Sequence, residues 1–210
     1  DSRILWLPDV FGYSGNLPQI LRRSGVDFFI TSKISWNQYN RVPHDLFYWQ
    51  GIDGSRIPCA FITAPETAFP EDSFFSTYNG KMDAKSVFGT WKRFQDKGIC
   101  DAVILPYGYG DGGGGTTREM VLYADALKEG ISGCPSVEFS GIKDYADYAA
   151  GKLEKTANPP YWQGELYLEF HRGTYTSNAR IKKNNRKTEY LLRDIEYFGA
   201  LAGLLSGEME

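Results

Sequence analysis

Four short apolar runs, at residues 3–7, 27–31, 57–63 and 102–106, alternate with stretches of helical period. That rhythm constrains the fold more than any other feature, because strands separated by helices pair in parallel within one sheet. In the first helical stretch Ser14 is a suitable N-cap, with Leu17, Ile20 and Leu21 on one face. The second, over 83–97, carries Val87, Phe88, Trp91 and Phe94 and stops at Gly98. The third is capped by Thr116 or Thr117, carries Met120, Val121, Ala124 and Leu127, and ends at Gly130. Residues 36–49 are aromatic and read as irregular. Ile52-Asp53-Gly54-Ser55 reads as a turn between two strands. Residues 64–81, rich in Pro, Phe, Ser and Thr, read as a long loop, and loops of that length are often functional. The composition changes near Asn158-Pro159-Pro160. Beyond it Leu191, Ile195, Phe198, Ala202 and Leu205 recur at three and four residues, which predicts one long helix over about 177–205. The expectation is an α/β unit over 1–158 and the start of a helical unit over 159–210.

Two aspartates stand just past apolar runs. Asp9 follows Trp6-Leu7-Pro8, and Asp111 lies in Tyr107-Gly108-Tyr109-Gly110-Asp111-Gly112-Gly113-Gly114-Gly115. Ligands of parallel sheets bind beyond the carboxyl ends of the strands, and two carboxylates there suit a nucleophile and a general acid of glycoside hydrolysis. A turn residue or a helix cap is the commoner role of a lone Asp at such a position. Gly108 to Gly113 also match G-x-G-x-x-G formally, which keeps a nucleotide-binding oxidoreductase open. Against it, a carboxylate inside the loop repels a pyrophosphate, and the glycines delay the helix whose N-terminus should hold it. The 15% aromatic content keeps a non-catalytic carbohydrate-binding module open too, since flat rings cover sugar faces.

A net charge of −3 argues against nucleic acid or an anionic membrane as the main partner, and no apolar run approaches bilayer length. The basic run Arg180, Lys182, Lys183, Arg186, Lys187 then reads as a solvated helix face. Cys59, Cys100 and Cys134 show no metal-ligand spacing and read as reduced thiols of a cytoplasmic protein. His44 and His171 begin no metal-binding motif. The chain opens without Met or a leader and directly on a strand, and it reads as an excised piece of a longer protein.

The segment around Asp9, together with Thr31 to Asn37, Phe47 to Ser55, Tyr78-Asn79-Gly80, Gly108 to Gly115 and Gly164 to Ser177, resembles glycoside hydrolase family 38, the retaining α-mannosidases. The motifs occur in the family's order across nearly the whole chain. The glycine run is similar to the cytosolic and bacterial branch; lysosomal and Golgi members carry two adjacent Asp where this chain has one. The resemblance implies the later part of a mainly parallel β/α barrel, followed by the first long helix of a helical bundle. It implies Asp9 as nucleophile and Asp111 as general acid/base in a double displacement on mannose-containing oligosaccharides. It makes Phe11, Trp49 and Tyr78 candidate walls of the sugar site, with Lys33 beside Asp9. The family's single divalent cation, usually zinc, is held by a His-x-Asp pair, the nucleophile and a later His; Asp9 alone of these is expected here. The fragment is therefore expected to be inactive alone and open to self-association.

Overall fold

The computed structural model describes residues 2–70 and 73–207. It comprises two compact units, Asp1–Phe170 and His171–Glu210. The first contains β1 (Ile4–Trp6), β2 (Gly12–Tyr13), α1 (Leu17–Arg23), β3 (Phe28–Thr31), β4 (Leu46–Gln50), β5 (Arg56–Phe61), α2 (Ala84–Arg93), α3 (Arg118–Lys128), α4 (Ile142–Glu154), β6 (Tyr161–Gln163) and β7 (Leu166–Tyr167).

The main sheet has the order β1-β3-β5-β4-β6. β1, β3 and β5 run parallel, as do β4 and β6, and only the β4–β5 pairing is antiparallel. The structure thus has the expected α/β class with a mainly parallel sheet. All four residues of β3 are buried, as an unbroken apolar run covered on both faces requires. Alternate residues face opposite sides. Phe29, Trp49, Cys59 and Phe61 pack with Tyr13 and Leu21 on one side. Phe28, Ile30, Leu46, Ala60 and Ile62 pack with Tyr145, Ala146, Ala149 and Leu153 on the other. The latter four come from α4, where they recur at helical spacing on one face.

Several local expectations change. β4 occupies the end of the stretch read as irregular; its partner across the turn fixes it, with Tyr48 opposite Pro58. The turn itself is as read, with Gly54 at φ +84°. Residues 102–106 form no strand. Val103, Ile104 and Leu105 lie half-buried against the second cluster, and the segment's ladder contact reduces to a bridge between Gly80 and Tyr107. α2 stops at Arg93 rather than running to residue 97, because Phe94 turns extended and puts its ring into the core, 1% exposed. α1 is capped at Asn16 without a side-chain bond, and Ser14 contributes only its carbonyl, to Leu17 N. Thr117 caps α3 by accepting from Met120 N.

The second unit holds a 3-10 turn over Arg172–Tyr175 and a 28-residue helix, α5 (Ala179–Ser206), where the seam pattern puts it. It ends at Gly207, φ +75°, a left-handed stop that favours glycine. All three cysteines are free, and no helix among the described residues is long and apolar enough to cross a membrane.

One buried charge sets a pH dependence. Asp45 is fully buried; its carboxylate accepts from Arg41 Nη2 at 3.2 Å and Gln95 N at 2.8 Å. Asp96 beside it accepts from Leu46 N at 2.9 Å and meets His44 Nδ1 at 2.8 Å. Burial outweighs Arg41 and pushes Asp45 from its ordinary 3.8 up to about 6. Between those values the folded chain binds the extra proton. The stabilisation is therefore full below about pH 4 and lost as pH rises through about 6. Urea midpoints should fall across that window, and Asp45→Asn should flatten the slope. An unchanged slope in the variant would assign it to other carboxylates.

Candidate active site

Asp9 leaves β1 past Pro8, and the β3 end holds it in place. Leu7 N donates to Ile30 O at 3.1 Å, and Lys33 N donates to Pro8 O at 3.1 Å. From beneath, Tyr13 donates its hydroxyl to Leu7 O at 2.5 Å and accepts from Thr31 Oγ1 at 2.8 Å, since it has one proton to give. β2 pairs with β7, Tyr13 opposite Leu166, which fixes the chain just after Asp9. Lys33 Nζ lies 3.1 Å from Asp9 Oδ1; the side chains are 23% and 46% exposed, so the pair faces an accessible surface.

Asp111 arrives from a different part of the chain. Tyr109 and Gly115 exchange two backbone hydrogen bonds, at 2.8 and 2.7 Å, closing the glycine run into a small hairpin. Asp111 sits at its tip with φ +54°, a left-handed conformation that Asp tolerates better than most residues. Gly108 N donates to Gly80 O at 3.0 Å and Gly80 N to Pro106 O at 3.1 Å, so residues 78–80 run beside the hairpin base. A Cβ on Gly80 would stand 2.5 Å from Pro106 O, so only glycine permits this approach. The result is two anchors on Asp111: Tyr78 donates to Oδ1 and Asn79 Nδ2 donates to Oδ2, each at 3.0 Å. At Gly110 a Cβ would meet Asn79 Oδ1 at 2.1 Å, so a larger residue there would displace the Asn79 amide from Asp111.

Tyr78 lies between Asp111, to which it donates, and the Lys33 ammonium that meets Asp9. Burial, and then hydrogen bonds with Asp9 and Asp111 and their charges, raise its pKa far above the ordinary tyrosine value. It therefore remains a protonated donor. Its single proton goes to Asp111 Oδ1 at 3.0 Å, and the Asp9 charge adds to the upward shift. Lys33 Nζ also stands 5.6 Å from the centroid of the Tyr78 ring.

The structure thus gathers Asp9, Lys33, Tyr78 and Asp111. Phe11 lies half-buried next to Asp9 in sequence and packs against the first core cluster. Trp49 does not join them. It is 0% exposed, tilted against Phe29 with centroids 5.3 Å apart, and its Nε1 donates to Gly164 O at 2.8 Å. With both faces packed it walls no sugar site, and its place in the core corrects that expectation. Asn79 was not singled out from sequence, although it stands between Tyr78 and Gly80 in one of the motifs; a polar residue next to a candidate site tyrosine was the available signal. The glycine loop closes as a hairpin, and α3 begins only at Arg118 with its N-terminus capped by Thr117. Neither feature forms the strand-turn-helix cradle of a pyrophosphate.

As to a cation, Asp9 offers one carboxylate, and one of its oxygens already meets Lys33. Among the described residues no three His, Cys, Asp or Glu side chains gather. A catalytic metal needs about three protein ligands, and Asp9 is the one proposed here.

Residues 1–165 match the family described as Glycosyl hydrolases family 38 N-terminal domain. The chain is 40% identical over 199 residues to human Alpha-mannosidase 2C1, covering 94% of this chain and 18% of that protein. It is 41% identical over 194 residues to Alpha-mannosidase G of Dictyostelium discoideum, covering 91% and 16%. It is 37% identical over 209 residues to Alpha-mannosidase of Saccharomyces cerevisiae (strain ATCC 204508 / S288c), covering 97% and 18%. The chain therefore spans less than a fifth of the length of these relatives. Its fold is similar to the crystal structure of an alpha-mannosidase from Enterococcus faecalis V583, with a TM-score of 0.53 at 14% identity over 78% of this chain and 18% of that one. With a match over most of its length and relatives near two-fifths identity, the chain belongs to glycosyl hydrolase family 38.

Proposed function

We propose that this chain carries the reacting carboxylates of a retaining α-mannosidase acting on mannose-terminated oligosaccharides. The observation that carries the reading is the cluster in which Lys33 Nζ lies 3.1 Å from Asp9 Oδ1 and 5.6 Å from the Tyr78 ring centroid, while Tyr78 donates to Asp111 Oδ1 at 3.0 Å. A retaining pair holds its carboxyl groups approximately 5–5.5 Å apart, and that is the separation this reading expects of Asp9 and Asp111. In the first step an Asp9 oxygen attacks the anomeric carbon, the glycosidic C–O bond breaks, and the Asp111 proton passes to the leaving oxygen. In the second, Asp111 takes a proton from water, the water oxygen attacks the same carbon, and the bond to Asp9 breaks, releasing mannose. Lys33 orients Asp9, while Tyr78 and Asn79 fix the Asp111 carboxyl. Phe11 and Tyr78 are the rings proposed to face the sugar.

A divalent cation, zinc in most of the family, would supply Lewis-acid chemistry at the sugar hydroxyls, with Asp9 as one of its ligands. No step above is routed through it. Three free cysteines are consistent with a reducing compartment such as the cytoplasm.

The test is the stereochemistry of turnover. Full-length protein and an aryl α-mannoside, followed by NMR, should give α-mannose before mutarotation. β-Mannose as the first product would require an inverting pair and end the assignment of Asp9 as nucleophile.

A further inference from the structure

Asp111 is the only residue with a side chain between Gly110 and Gly115. The hairpin closes through the Tyr109–Gly115 backbone pair. Among the described residues, nothing lies within 4 Å of where a Cβ would stand on Gly112, Gly114 or Gly115. The tip therefore has no side-chain packing of its own to hold a carboxyl in one direction. Whatever orients Asp111 has to come from outside the hairpin.

It comes from residues 77–80, which are tied at both ends. Thr77 is buried; its N donates to Ala64 O at 2.9 Å, and its Oγ1 accepts from Asn79 N at 3.0 Å. Gly80 N is tied to Pro106 O at 3.1 Å. Between these ties Asn79 Nδ2 reaches Asp111 Oδ2 at 3.0 Å. Tyr78 holds the other oxygen, Oδ1. One contact would leave the carboxyl free to rotate about it, whereas two contacts on two oxygens fix its plane.

Position 110 makes the room for this. The three atoms nearest to a Cβ on Gly110 all belong to Asn79: Oδ1 at 2.1 Å, Cγ at 3.0 Å and Nδ2 at 3.3 Å. Gly110 is not among the glycines of positive φ, so its backbone is open to alanine and the obstacle is the Asn79 side chain.

We propose that Asn79 is the positioning residue of the general acid and that Gly110 is its seat, the two forming one latch on Asp111. The role of Asp111 in this inference rests on the glycosidase reading. The latch makes the two positions interdependent. Alanine at 110 pushes the amide off Asp111, and alanine at 79 removes the amide and, with it, the obstacle at 110.

The test is kcat/KM of the full-length protein, which reports the glycosylation step. One substrate is a phenyl α-mannoside, whose leaving group needs a proton; the other is a dinitrophenyl α-mannoside, whose leaving group does not. Asn79→Ala and Gly110→Ala should each lower the phenyl value by about ten- to a hundredfold, the scale of a misplaced catalytic group. Both should leave the dinitrophenyl value nearly unchanged. The double variant should lose no more than the worse single one, since both substitutions break the same contact. Losses that multiply in the double variant, or a phenyl value untouched in Asn79→Ala, would overturn the latch. So would equal losses on both substrates, which is what a merely structural role gives. Asp111→Asn, measured alongside, reports on the glycosidase reading. A leaving-group split in Asp111→Asn without one in Asn79→Ala would strike the latch alone; no split in Asp111→Asn would remove the general acid and the latch together.

Discussion

Asparagine in place of Asp9 in the full-length protein should lower kcat on aryl α-mannosides by about 10⁴-fold or more, the scale of losing a covalent nucleophile. The amide keeps the size of the carboxylate but cannot attack the anomeric carbon. Asp111→Asn should cost about 10²–10⁴-fold, the range for general acid–base catalysis. The two losses should also differ in kind. A dinitrophenolate leaves without being protonated, so Asp111→Asn should spare glycosylation with that substrate far more than with a sugar leaving group. Asp9→Asn should impair both alike. Melting temperatures close to that of the parent would show that neither variant acts through unfolding. Wild-type turnover in Asp9→Asn would remove Asp9 from the chemistry altogether.

Trp49→Ala should be the most damaging core substitution, destabilising the chain by about 3–5 kcal/mol. Its indole is fully enclosed by the sheet and α1 side of the core, and its removal leaves a large cavity. The part-buried Gly164 carbonyl also loses its donor. Ile52→Ala, 72% exposed at the β4–β5 turn, is the control and should move stability by no more than about 0.5 kcal/mol. Urea midpoints of the two variants make the comparison, and a loss below about 1 kcal/mol for Trp49→Ala would contradict its place in the core.

The strands that were legible in the sequence are those whose burial leaves an unbroken apolar run, β1, β3 and β5. The 102–106 run looks the same in sequence, yet finds no ladder partner along its length, a fact set by tertiary neighbours and not by propensity. α4 was passed over although Tyr145, Ala146, Ala149 and Leu153 fall at helical spacing, since two of the four are alanines that do not stand out as core residues. At the site, Asp9 and Asp111 stood out because each follows an apolar run, and the resemblance to a known family gave them roles. Trp49 was misplaced because an aromatic residue in a shared motif looks the same whether it faces a ligand or the core. Asn79 was passed over because its importance lies in reaching a carboxylate 32 residues away.

The left-handed backbone at position 111 has an evolutionary consequence. Aspartate, asparagine and glycine are the residues that such a turn tip accepts at small conformational cost. On the proposed reading, a one-residue drift among these three would remove the general acid and lower turnover by about 10²–10⁴-fold while leaving folding intact. Under that reading descendants of this lineage would lapse toward sugar-holding proteins without passing through an unstable ancestor, and the residue at this tip would distinguish them from working hydrolases.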